Sequence, residues 1–77
     1  MNLEIISPEK TIYSGKAEAI TLPGLKGLFT ILNRHAPIIS GLKKGKVSYQ
    51  VKGKKEEVII NEGFVEAEKN NVTVCIE

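Results

Sequence analysis

The sequence predicts a nearly all-β fold, a sandwich or barrel of short strands, on three observations. Apolar residues recur with period two, as in Val47, Tyr49 and Val51 and again in Val72, Val74 and Ile76. Turn residues punctuate the chain roughly every eight to twelve positions. No stretch sustains an amphipathic helical period over about three turns. A chain of 77 residues makes one domain. Its core is thin, because a fold of this size buries roughly 60% of the unfolded chain's surface.

The elements follow in order. Residues 3–6 open as a strand, closed by Ser7-Pro8-Glu9, and Ser14-Gly15 reads as the next turn before a strand over 17–22. Pro23-Gly24 begins a glycine loop. Beyond it, Leu25, Leu28, Phe29 and Leu32 fall at helical spacing. Gly24 and Gly27 near the start, and β-branched Thr30 and Ile31 within, favour a loop followed by a strand at about 28–32. Pro37 stops any helix by Ala36. In 47–51 the polar Ser48 and Gln50 alternate with the apolar residues, as in a half-buried strand. Gly53-Lys54 leads into 58–60, and Asn61-Glu62-Gly63 into 64–67. Asn70-Asn71 tolerates positive φ and reads as a tight hairpin into 72–76.

Composition excludes several functions. Hydrophobic residues are 42% and charged residues 26% of the chain, which argues against disorder. Cys75 is the only cysteine and His35 the only histidine, so an intramolecular disulfide is excluded and a metal site lacks ligands. A reducing compartment is expected. Met1-Asn2-Leu3-Glu4 does not resemble a signal peptide, and no apolar run is long enough to span a bilayer.

Catalysis is poorly supported. The chain has no Asp, and a triad from Ser, His35 and a Glu has nothing to recommend it beyond arithmetic. Glu56-Glu57, Glu66 and Glu68 read as solvated faces. Gly24-Leu25-Lys26-Gly27 is a G-x-x-G loop, but strand patterns flank it where an RNA-clamping loop joins two helices. Lys43, Lys44, Lys46, Lys52, Lys54 and Lys55 gather over half of the 11 positive charges while the net charge is only +2. They read as solubility and edge protection ahead of a phosphate-tracking patch, since only Tyr49 lies among them as a stacking platform. Cys75 reads as a small packed residue. The doublets Ile5-Ile6, Ile38-Ile39 and the run Val58-Ile59-Ile60 put bulky groups on both faces of their strands. A sandwich buries one face of each sheet, so some of these side chains are exposed unless a partner covers them. This points to a binding module.

Longer motifs narrow the reading. Leu3-Glu4-Ile5-Ile6-Ser7-Pro8-Glu9 runs through to Tyr13-Ser14-Gly15. Pro23-Gly24-x-x-Gly27-x-x-x-Ile31-Leu32-x-x-His35-Ala36-Pro37 follows, then Leu42-Lys43-x-Gly45, Gly63-Phe64-Val65-Glu66 and Asn71-Val72-Thr73-Val74. In this order the chain resembles the N-terminal β-domain of the epsilon subunit of F-type ATP synthases, the mitochondrial delta subunit.

The resemblance implies an all-β, ten-stranded β-sandwich or flattened barrel spanning residues 1–77 as a single domain. It implies a central-stalk rotor component that binds the gamma subunit and the c-ring and helps couple proton flow to ATP synthesis. No catalytic residue, cofactor, metal, nucleic acid or membrane insertion is implied. The gamma-facing positions match Ser7, His35, Ala36, Pro37, Ile38 and Ser40. The loop on the c-ring matches Gly24, Leu25, Lys26, Gly27, Leu28 and Phe29. A peripheral place on the cytoplasmic face of a bacterial inner membrane is expected.

Local alternatives stand beside these contacts: a turn-stabilising hydroxyl for Ser7, a backbone-bonded ring for His35, a strand-end polar group for Ser40. The sequence also departs from the family. Lys26, Leu28, Phe29 and Thr30 stand where many members carry an acidic residue and a glycine, which suggests an apolar ring contact. Glu62 replaces a second glycine before Gly63. The family's C-terminal helical hairpin, which can bind ATP or extend to inhibit hydrolysis, is expected to be absent, and neither role carries over. A small basic β-barrel binding single-stranded nucleic acid is the alternative reading.

Overall fold

The computed structural model describes residues 1–77 as nine strands with no helix. These are β1 (Asn2–Ile6), β2 (Thr11–Lys16), β3 (Ala19–Gly24), β4 (Gly27–Leu32), β5 (Ile38–Leu42), β6 (Gly45–Val51), β7 (Lys54–Ile60), β8 (Gly63–Glu68) and β9 (Asn71–Ile76). The class is the one the sequence predicts; the count is nine where ten were expected. The longest segment between strands, 33–37, supplies no tenth. Arg34 sits there at φ 62° and Pro37 has no N–H to give a ladder.

The strands form one curled sheet in the order β2-β1-β9-β8-β5-β3-β6-β7, with β4 on the other edge of β3. The curl turns on β3. Its Ala19, Ile20 and Thr21 pair with Gln50, Tyr49 and Ser48 of β6, while only Gly24 pairs with Leu42 of β5. Two halves result, β2-β1-β9-β8-β5 and β4-β3-β6-β7, and their inner faces close on one core. Leu3, Ile5, Val65 and Val74 from the first half meet Ile20, Leu22, Ile31, Val47 and Ile60 from the second, all fully buried or nearly so. Burying each such side chain is worth about 1.5–3 kcal/mol.

Period two therefore reports burial faithfully in the clean strands. Val47, Tyr49, Val72, Val74 and Ile76 all face the core, and Val51 packs partly against it. Tyr49 stacks obliquely on Tyr13 with ring centroids 5.0 Å apart. Burial first, then the charge of Glu56 and Tyr13, pushes the Tyr49 phenol above its ordinary value. The helical spacing over 25–32 is accidental: β4 is a strand, with Ile31 buried and Phe29 packed on the core.

Two hairpins turn one residue earlier than the sequence suggests. Lys69 and Asn70, at φ 52° and 62°, form the turn that puts Glu68 opposite Asn71. Lys52 and Gly53, at φ 53° and 78°, put Val51 opposite Lys54. Both have the two positive φ values that match strand twist in a two-residue hairpin. Register decides the position, because a slip of one would turn Val65, Ala67, Val72 and Val74 away from the core. Ser14-Gly15 and Pro23-Gly24 are not turns but lie inside β2 and β3. β2 is an edge strand, where poor strand formers are tolerated. Pro23 needs no donor, and its carbonyl accepts the Lys43 N–H at 2.9 Å.

The tip of the β6–β7 hairpin is fastened from outside. The Glu18 carboxylate accepts the backbone N–H of Lys52 at 2.7 Å and of Gly53 at 3.1 Å. Glu18→Ala is expected to lower stability by about 1 kcal/mol, since these bonds are solvent-exposed. Urea midpoints measured beside Lys54→Ala, which breaks neither bond, check this.

Candidate functional site

The outer face of β1-β9-β8-β5 carries an apolar strip. On β5, inward Ile38, Ser40 and Leu42 alternate with outward Ile39 and Gly41, a phase fixed by the partners Ala67, Val65 and Gly63 on β8. Ile39 is 77% exposed and Phe64, opposite Gly41, is 50% exposed. Phe64 pairs with Cys75, and Cys75 with Ile6, both half-buried. Ile39, Phe64, Cys75 and Ile6 thus run across four strands on one face.

A groove of about 420 Å³ lies at the Ile6 end, lined by Ser7, Pro8, Phe64 and Cys75. Another of about 400 Å³ lies at the Ile39 end, lined by Pro37 and Glu66. The β3–β4 hairpin completes the strip. Leu25 lies over Gly41, its Cδ1 3.0 Å from where a β-carbon would stand. The same hairpin presents Leu28, 74% exposed, beside Pro23 on the outer face of β3 and β4.

The sequence-predicted positions distribute unevenly around this strip. Ser7 sits in the first groove, where its backbone N–H donates to the Lys10 carbonyl and its hydroxyl bonds that carbonyl and the Lys10 N–H. The hydroxyl therefore does hold the turn before Pro8. His35, Ala36 and Pro37 are exposed on the 33–37 segment, and His35 Nδ1 lies 2.8 Å from the Ala36 carbonyl. Ser40 Oγ donates to the Gly41 carbonyl at 3.0 Å on the inward side of β5. Ile38 packs against the core.

Sequence reasoning put Ile38, but neither Ile39 nor Phe64, among the gamma contacts, and these two are the exposed large apolar residues of β1-β9-β8-β5. The Ile38-Ile39 doublet signalled an exposed isoleucine, but only the β5–β8 register says which one it is. In the 24–29 loop, Leu25 and Leu28 are exposed while Phe29 is half-buried. Glu62 has an ordinary φ, so its turn needs no second glycine. That turn is held by Asn61 N–H donating to the Glu77 carbonyl, and Glu77 N–H to the Glu62 carbonyl, both at 2.9 Å.

Glu66 and Glu68 point into solvent, and no three His, Cys, Asp or Glu side chains converge where a metal could sit. No helix is long and apolar enough to cross a membrane. The family model described as the ATP synthase delta/epsilon chain β-sandwich domain matches residues 1–77. The chain belongs to this family.

Relatives agree with this delta/epsilon membership. The ATP synthase epsilon chain of Lawsonia intracellularis is 43% identical over 77 residues, covering 100% of this chain and 58% of the relative. That of Nitratiruptor is 38% identical, covering 100% and 60%. That of Desulfitobacterium hafniense is 42% identical, covering 97% and 57%. The chain therefore spans less than two thirds of these relatives' length. Its fold recurs in the Euglena gracilis mitochondrial ATP synthase OSCP/F1/c-ring structure, with a TM-score of 0.93 at 22% identity, covering 99% of this chain and 49% of that one. It recurs also in the Tetrahymena thermophila ATP synthase central stalk and c-ring, with a TM-score of 0.84 at 18% identity, covering 99% and 62%.

Proposed function

We propose that this delta/epsilon domain acts as the epsilon subunit of an F-type ATP synthase. It is a non-catalytic component of the central-stalk rotor that binds gamma and the c-ring and helps couple proton flow to ATP synthesis. The observation that carries the proposal is the uncovered apolar strip from Ile39 through Phe64 to Ile6, flanked by a groove at each end. Such a strip on a rigid sheet suits a constant partner. The gamma contact takes Ser7, His35, Ala36 and Pro37 at its margins, Ile38 and Ser40 beneath it, and Ile39 and Phe64 as its outward apolar points. The c-ring contact takes Gly24, Leu25, Lys26, Gly27, Leu28 and Phe29, with Leu25 and Leu28 as the apolar points. The names of the relatives and of the assemblies sharing the fold support the reading. Its place is peripheral, on the cytoplasmic face of a bacterial inner membrane.

A nucleic-acid role gains nothing from the structure. Phe64 lies on the half of the sheet away from the β6–β7 lysines, and Tyr49 is buried, so no exposed aromatic stands among the basic residues. A tagged copy recovered from native membranes is expected to bring gamma and the c-ring with it. Repeated recovery without either overturns the proposal.

A further inference from the structure

The other half of the sheet, β4-β3-β6-β7, carries a feature that shares only Leu28 with the rotor contacts proposed above. Lys43, Lys44, Lys46 and Lys55 surround a groove of about 460 Å³ floored by Thr21, Pro23 and Ser48, and no carboxylate lines it. Glu57 reaches two of the four, Lys46 and Lys55, at 3.5 Å each. Lys43 and Lys44 have no acidic partner within 4.0 Å. They are nonetheless well placed. Lys43 N–H donates to the Pro23 carbonyl at 2.9 Å, and Gly45 packs so closely that an added β-carbon would stand 2.9 Å from Pro23 Cβ. The lysine turn is thus seated against the β3–β4 hairpin close to its tip.

Two exposed apolar residues flank these charges. Leu28 lines the groove. Ile59 is 69% exposed and lies opposite Lys46 in the β6–β7 ladder. Edge protection accounts for the charges of β7 but not for bulky apolar groups set among them.

We propose that this face binds the headgroups of anionic phospholipid. Lysine ammonium groups are point charges that accept phosphate from many directions, which suits a fluid surface better than one fixed carboxylate pattern. Each lysine near an anionic bilayer strengthens attraction roughly fivefold, and salt screens it. Ile59 enters the headgroup boundary without spanning it. The inference stands on this groove alone and does not require gamma or ring binding.

Sedimentation with vesicles tests it. The chain is expected to sediment with equal parts phosphatidylglycerol and phosphatidylcholine at low salt, to leave them as salt rises, and to ignore pure phosphatidylcholine. Lys43→Glu with Lys44→Glu is expected to weaken partitioning by about tenfold or more. Lys16→Glu with Lys69→Glu makes the same change in net charge outside the groove and is expected to do much less. Ile59→Ser, outside the proposed rotor contacts, is expected to weaken binding at unchanged charge. Lys43→Gln with Lys44→Gln serves if the reversed charges disturb folding. Absence of sedimentation, equal loss from the two charge-reversed pairs, or preference for an acidic peptide or single-stranded oligonucleotide over the vesicles overturns the proposal.

Discussion

Gly63→Ala is expected to destabilise the domain by roughly 3 kcal/mol, a large share of what so small a fold possesses. A β-carbon on Gly63 would stand 2.3 Å from the Cys75 carbonyl oxygen and 3.2 Å from Ile76 Cα. Both are backbone atoms of β9, so no side chain can swing aside. Relief requires β8 and β9 to part, and that ladder aligns Val65 with Val74 and Ala67 with Val72 inside the core. Gly41→Ala makes the informative contrast. Its β-carbon meets only the end of Leu25, at 3.0 Å from Cδ1, and Leu25 is exposed and free to turn. That substitution is expected to cost under about 1 kcal/mol. Urea denaturation of both variants checks the pair, and similar midpoints would contradict the steric account.

Ile39→Asp is expected to weaken binding to purified gamma by about tenfold or more, which corresponds to about 1.4 kcal/mol. Phe64→Asp is expected to weaken it further, since an aromatic anchor contributes about 2 kcal/mol or more. Both side chains point away from the core, so neither change should lower thermal stability greatly. Ile38→Asp behaves differently. It puts a carboxylate on the inward side of β5 against the core, so stability falls along with binding. Lys54→Glu, on the β6–β7 hairpin, is expected to leave gamma binding unchanged. Titration calorimetry together with melting of each variant separates the outward residue from the inward one.

Much of the architecture was legible because its cause is local. Alternation at Val47, Tyr49, Val72, Val74 and Ile76 is a direct image of burial. The glycines and β-branched residues of 24–31 correctly outweighed a helical spacing. Legibility ended where the cause is a partner strand. β2 and β5 have little alternation of their own, and their phase comes from β1 and β8. Turns at Lys52-Gly53 and Lys69-Asn70 were misplaced by one residue because ladder register, and not the asparagine or glycine alone, sets them. The same cause hid the candidate site. The sequence announced that one isoleucine of the 38–39 pair faces out, while the choice between them rests on Ala67 lying opposite Ile38. The strip itself joins residues from distant parts of the chain, so no single motif contains it.

The central claim is that the Ile39–Phe64 strip lies against gamma in the assembled enzyme. Photo-cross-linking from an unnatural side chain at position 39, with position 54 as the comparison, tests it most directly. The account predicts an adduct with gamma from position 39 and none from position 54. An adduct with gamma from position 54 alone, or from neither while the complex is intact, would contradict it.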